Sequence, residues 1–132
     1  MSIAELLRTS KTIAVVGLSS KKHRPSYGVT QYMQRAGYRI IPVNPHETEV
    51  LGARSVSDLD SIGMAVDIVN IFRRSEFVPE IVEAAIRIGA RSVWMQEGVY
   101  HESAAARARE AGLTVVMDHC ILKEHRKALV SA

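Results

Sequence analysis

Cysteine is almost absent. The single Cys120 among 132 residues excludes an intrachain disulfide and a cysteine-rich zinc site, and one thiol per chain suits a reducing cytosol. Aromatic residues make up 5%, too few to stack the successive bases of a single strand. Long hydrophobic runs are missing as well. No uncharged stretch approaches the roughly 20 apolar residues that cross a bilayer, and Glu5 and Arg8 interrupt the first turns. Nor does one sign of charge dominate: 17 Lys+Arg against 14 Asp+Glu leave +3, so massed attraction to nucleic acid or membrane is not expected. No internal repeat, low-complexity tract or interdomain linker breaks the chain. Residues 1–132 therefore read as one domain, soluble and cytoplasmic.

What is present is alternation. Five short apolar runs, Thr12 to Leu18, Arg39 to Val43, Val66 to Phe72, Ser92 to Met95 and Thr114 to Met117, are separated by stretches of helical period. That grammar belongs to βαβ units on a parallel sheet covered on both faces, whose strands are nearly continuous in apolar residues. Val29, Tyr32, Met33 and Ala36 make one helical stripe, and Val78, Ile81, Val82 and Ala85 another. Gly37, Gly89 and Gly112 follow helical patterns just ahead of a strand, where a left-handed helix end is expected. Ser2 with Glu5 reads as a capping box opening a short N-terminal helix. Ser75 is a candidate cap ahead of Pro79, a proline tolerated in a first turn. Ser103 to Ala111 and Ile121 to Leu129 read as further helices. Asn44 to Met64 is irregular, with room for a loop and at most one helical turn.

In an open parallel sheet, ligands sit beyond the carboxyl ends of the strands where the winding reverses. After the first strand come Gly17, two serines (Ser19, Ser20), the run Lys21, Lys22, His23, Arg24, and a helix start near Ser26, followed by Tyr27 and Gly28. Free backbone N–H groups, the positive end of the helix and the basic side chains favour phosphate there. The bland alternative is a solvated charge run. This loop is too long for G-x-G-x-x-G and lacks its middle glycine, and no G-x-x-x-x-G-K-[ST] occurs. Strand two ends in Val43, Asn44 and Pro45, without the acidic residue that NAD enzymes use for ribose. NADP remains open, because nearby arginines would take its extra phosphate.

Phe72 offers a flank for an adenine ring, and Arg73 and Arg74 would pair with a ribose phosphate. Against this, Phe72 reads equally as core and both arginines as surface. Glu97, beside Gln96 and Gly98, is either an acceptor for a ligand hydroxyl or amine or a turn residue. His119 and Cys120 point to opposite sides of an extended segment and lack a third partner, so Cys120 reads as core. Glu124 and His125 do not form H-E-x-x-H. No catalytic residue and no metal ligand is assigned.

Six segments in this order, AVVGLSSKKHRPSYGV (14–29), PVNP (42–45), LGARSVSDL (51–59), DIVNIFRRSEFVP (67–79), WMQEGV (94–99) and AGLTVVMDHCILKEH (111–125), resemble the small stand-alone CoA-binding proteins of bacteria and archaea. That family is similar to the N-terminal CoA-binding domain of the succinyl-CoA synthetase alpha subunit and of NDP-forming acyl-CoA synthetases. The resemblance implies a Rossmann-like fold holding coenzyme A, with phosphates on the first loop, adenosine against the ends of strands two and three, and the thiol arm pointing outward. By matching motif it implies contacts from Gly17, Ser19, Ser20, Arg24, Ser26 and Tyr27, then Val43, Asn44 and Pro45. It further implies Phe72, Arg73 and Ser75, and finally Gln96 and Glu97. Lys21 joins these candidates as part of the basic run.

The expectation is an α/β, Rossmann-like doubly wound domain of five parallel strands in order 3-2-1-4-5. It would bind coenzyme A or an acyl-CoA as a small non-catalytic regulatory module, without nucleic acid or membrane. Alternatives are one component of a split NDP-forming acyl-CoA ligase or an NADP-binding oxidoreductase-like protein. A DNA-binding redox regulator is disfavoured because no helix-turn-helix precedes the sheet. Pairing of chains, as a homodimer or with another protein, stays open.

Overall fold

The computed structural model describes residues 1–131. Short apolar segments become strands β1 (Thr12–Val16), β2 (Arg39–Val43), β3 (Glu49–Val50), β4 (Ala53–Arg54), β5 (Ile68–Ile71), β6 (Ser92–Met95) and β7 (Thr114–Val116). Helices α1 (Ile3–Thr9), α2 (Pro25–Arg35), α3 (Val78–Arg87), α4 (Glu102–Glu110) and α5 (Ile121–Ser131) fill the intervals. The main sheet is parallel throughout, in the order β2-β1-β5-β6-β7.

Alternation along each strand divides the core in two. Ala14, Val16, Val69, Ile71, Val93 and Met95 face Val78, Val82 and Ala85 of α3 and Ala104, Ala105 and Ala108 of α4. Ile13, Val15, Ile68 and Trp94 face Leu6 and Leu7 of α1, Met33 of α2 and Ile121 of α5. Helices on both faces account for strands whose every residue is buried, as in β5 and β6. The local signals act as expected at several ends. Ser2 Oγ accepts from Glu5 N–H at 3.1 Å, Pro79 falls in the first turn of α3, and Gly37, Gly89 and Gly112 all take positive φ.

The order departs from the expected 3-2-1-4-5. Counting only the strands of the main sheet it is 2-1-3-4-5, with β5 paired to β1 (Ile13 with Ile68, Val16 with Ile71) rather than outside β2. The reason lies in the irregular stretch. Val56 N–H donates to Pro42 O at 3.0 Å, and Asn44 N–H donates to Val56 O at 2.9 Å, so residues 55–56 occupy the outer edge of β2. Asp67 then anchors the start of β5 beside β1, its carboxylate accepting from Lys11 and Thr12 N–H at 2.8 and 3.0 Å.

Two further expectations change. Asn44 to Met64 holds the antiparallel hairpin β3–β4 and a 3-10 turn at Leu59–Ser61. The hairpin turn places Leu51 and Gly52 at φ 54 and 75, a conformation that only Gly52 announces in sequence. Ser75 does not cap α3. It opens a 3-10 turn over Ser75–Phe77, and its Oγ accepts from Tyr100 N–H at 2.9 Å.

Candidate functional site

The winding reverses between β1 and β5: the chain leaves β1 for β2 on one side, then returns across it to β5, β6 and β7. Ligands of such sheets bind at this reversal, and here the strands end in Gly17 and in Phe72–Arg73. Gly17 has φ +88, and a Cβ there would strike the Phe72 carbonyl oxygen. Its N–H donates to Val43 O at 2.9 Å. Only glycine lets the three strand ends converge this closely.

Two hollows open around that point. The larger, of ≈ 520 Å³, is lined by Gly17, Ser19, Arg24, Pro25, Ser26, Val29, Phe72, Arg73, Arg74, Gln96, Glu97, Gly98, Val99 and Cys120. The smaller, of ≈ 200 Å³, is lined by Gly17, Val43, Asn44, Pro45, His46 and Arg73. Gly17 and Arg73 line both, so the two hollows adjoin at the end of β1 and are together termed the groove. A third hollow of ≈ 360 Å³ between α3 and α4 lies away from these strand ends, and its arginine, Arg107, is tied to Glu83 at 3.0 Å.

One wall of the groove comes from the loop after β1, through Gly17, Ser19 and Arg24. Four of the loop's backbone N–H groups already have partners. Ser19 N–H donates to Ser26 Oγ at 3.1 Å, and Lys21 N–H to Ser19 Oγ at 3.1 Å. Ser20 N–H donates to Glu47 Oε2 at 2.7 Å, and Arg24 N–H to Lys21 O at 3.0 Å. Asn44 Nδ2 donates to Leu18 O at 3.0 Å, which ties the loop to the turn after β2. The positive features left over are side chains and a helix end. No side chain caps α2, whose N-cap is Arg24. Among the described residues no carboxylate lies within ion-pair distance of Lys21, Lys22, Arg24 or Arg73.

The other wall comes from the ends of β5, β6 and β7. The Arg73 guanidinium lies over the Phe77 ring, 4.3 Å from its centroid. Gln96 is buried, and its Oε1 accepts from Ile121 N–H at 3.0 Å. Glu97 meets Lys123 at 3.0 Å and thereby holds the ammonium's pKa above its usual range. Asp118, in the left-handed region at φ 60, accepts from Gly98 N–H at 2.7 Å. Trp94 Nε1 donates to His119 O at 2.8 Å.

Of the residues named from sequence, the larger hollow gathers Gly17, Ser19, Arg24, Ser26, Phe72, Arg73, Gln96 and Glu97, and the smaller adds Val43, Asn44 and Pro45. Ser20, Lys21, Tyr27 and Ser75 line neither. Ser20 turns its N–H to Glu47, Lys21 is exposed, Tyr27 packs half-buried against the α1, α2 and α5 core, and Ser75 is engaged by Tyr100. Sequence reasoning passed over Val29, Val99 and His46 as lining residues. Val29 was findable, since it lies three residues after Ser26 on one helix face. Cys120 is buried, as expected, and also forms part of the wall.

The family model of the CoA binding domain matches residues 11–126. The uncharacterized protein YneT of Bacillus subtilis (strain 168) is 48% identical over 123 residues, covering 93% of this chain and 91% of that protein. A hypothetical protein from Pyrococcus horikoshii OT3 superposes with a TM-score of 0.93 at 38% identity, over 96% of this chain and 89% of that one. At 19% identity, the dinucleotide-forming acetyl-coenzyme A synthetase 1 of Ca. Korarchaeum cryptofilum shares the fold, with a TM-score of 0.76 over 89% of this chain and 28% of that one.

Proposed function

We propose, from the premise that this chain belongs to the CoA binding domain family, that it binds coenzyme A or an acyl-CoA in the groove over the end of β1. The observation that carries this reading is that Arg24 and Arg73, which meet no carboxylate among the described residues, line the same hollow as Gly17 where the sheet winding reverses. Coenzyme A needs two anion sites, for its pyrophosphate and its 3′-phosphate, and a flat apolar flank between them. Ser19, Arg24, Ser26 and the amino end of α2 suit the pyrophosphate. Val43, Asn44, Pro45 and Phe72 suit adenosine, and Arg73 with Arg74 suits the 3′-phosphate. The uncharged pantetheine arm then runs outward past Gln96 and Glu97.

The chain acts as a binding module rather than a catalyst. Glu97, the carboxylate of the larger hollow, is committed to Lys123, and Cys120 is buried with no base hydrogen-bonded to it among the described residues. No helix among the described residues is long and apolar enough to cross a membrane, which suits a partner that is a small dissolved ligand. Calorimetric titration with coenzyme A, dephospho-CoA and NADP tests the reading. Coenzyme A is expected to bind most tightly. Preference for NADP, with hydride transfer to an acceptor, would replace this reading with an oxidoreductase.

A second reading draws on the shared fold with the acetyl-coenzyme A synthetase, of which this chain spans 28%. In it the chain is one component of a split acyl-CoA ligase. Co-purification with a separate nucleotide-binding subunit, and acyl-CoA formation by the pair alone, would favour it.

A further inference from the structure

The loop after β1 carries Lys21, Lys22 and Arg24, none of which meets a carboxylate among the described residues. One carboxylate does reach this loop, that of Glu47, and it goes to the backbone rather than to a cation. Its Oε2 accepts from Ser20 N–H at 2.7 Å, the short geometry of a charge-assisted bond. Chiefly through that bond its pKa lies below the usual carboxylate range. A phosphate oxygen seeks the same partner on such a loop, an N–H flanked by cationic side chains.

Glu47 is free to leave. The turn that bears it is held independently, because Asn44 Nδ2 grips Leu18 O and Asn44 Oδ1 accepts from His46 N–H at 2.9 Å. Rotation of one side chain releases Ser20 without disturbing β2 or the loop. The contact is exposed to solvent, where a bond of this kind is readily exchanged.

We propose that Glu47 is an internal anion standing in for a ligand phosphate: it holds Ser20 N–H in the free protein and yields it when a polyphosphate ester binds. The ester in question rests on the coenzyme A reading above. Glu47 then sets a threshold, since a weakly charged ligand gains too little on the loop to displace it, whereas a pyrophosphate does.

The test is titration of the wild-type protein, Glu47→Gln and Glu49→Gln with two probes, coenzyme A and inorganic pyrophosphate. Glu49→Gln removes the same charge from the neighbouring strand β3, where Glu49 pairs in register with Arg54 and has no hydrogen bond to the loop among the described residues. The proposal expects Glu47→Gln to tighten binding about fivefold, the scale of one like charge removed at contact distance in water, and Glu49→Gln to do much less. In the wild type, the Glu47 carboxyl carbon and the Ser20 amide resonances should shift together as pyrophosphate is added. A gain for pyrophosphate with no coenzyme A binding would sink the coenzyme A reading and leave the internal anion standing. Equal or weaker binding by Glu47→Gln for both probes, or no binding of either, would overturn it.

Discussion

The two walls of the groove are built by opposite means. On the β1 side, several loop N–H groups already have side-chain partners, and the cationic side chains meet no carboxylate among the described residues. On the β5–β7 side the charges are matched, Lys123 with Glu97 at 3.0 Å and Arg74 with Glu76 at 3.7 Å. Polar side chains there are used to fasten loops: Asp118 to Gly98, Gln96 to Ile121, Ser75 to Tyr100. Arg73 stands at the seam, stacked on Phe77 instead of paired. The difference orients a ligand with one anionic end and one neutral arm: the charge goes to the first loop and the seam, the arm to the second wall.

Removing the seam should have the largest effect. Gly17→Ala forces a side chain into a left-handed backbone position, costing about 1–3 kcal/mol, and adds the collision with the Phe72 carbonyl. Chemical denaturation should show that loss, together with loss of ligand binding. A Gly17→Ala protein as stable as the wild type would mean the strand ends do not converge as described.

Arg73→Ala comes next. It should weaken coenzyme A by about 1.5–3 kcal/mol, the range for a charge-assisted hydrogen bond, and leave dephospho-CoA almost untouched. Equal losses for both ligands would move the 3′-phosphate away from the seam. On the first wall, Lys21→Ala with Lys22→Ala should weaken binding by less than about 1 kcal/mol, as befits exposed charges, and flatten its salt dependence. On the second wall, Lys123→Ala should leave coenzyme A affinity and its salt dependence unchanged. If it matched the paired lysine variant, the contrast between the walls would fail.

The smallest expected effect separates the walls by pH. The folded pKa of Glu47 is lowered, so its hold on Ser20 contributes above the ordinary Glu value of about 4.3 and is lost as pH falls through the lowered value. The folded pKa of Lys123 is raised by Glu97. That bridge contributes fully below the ordinary Lys value of about 10.4 and is lost as pH rises through the raised value. One wall loosens in acid and the other in alkali. NMR titration of the Glu47 carboxyl carbon and the Lys123 Nζ should show the two shifted in these opposite directions. Ordinary values for both would mean that the two contacts do not form in solution.

The strands were legible because a sheet covered on both faces needs apolar residues at successive positions, and β5 and β6 supply them without a break. Helix ends were legible because Ser2, Pro79 and the helix-ending glycines act through their own backbone neighbours. Strand order was not. It depends on residues 55–56 reaching the edge of β2, a pairing with no local signal. The same holds within the groove. Gly17, Arg24 and Phe72–Arg73 could be placed from their position after strands, whereas the partner of Ser20 N–H is Glu47, 27 positions away. A side chain that acts across such a distance leaves no periodicity to read, and Leu51 at φ 54 leaves none either.

The most direct measurement of the central claim is an amide-resonance titration of the uniformly labelled protein with coenzyme A. The account predicts saturable shifts confined to the first loop and the start of α2, the turn after β2, residues 72–75 and residues 96–99. Shifts clustered instead around α1 and α5, or none at saturating ligand, would contradict it.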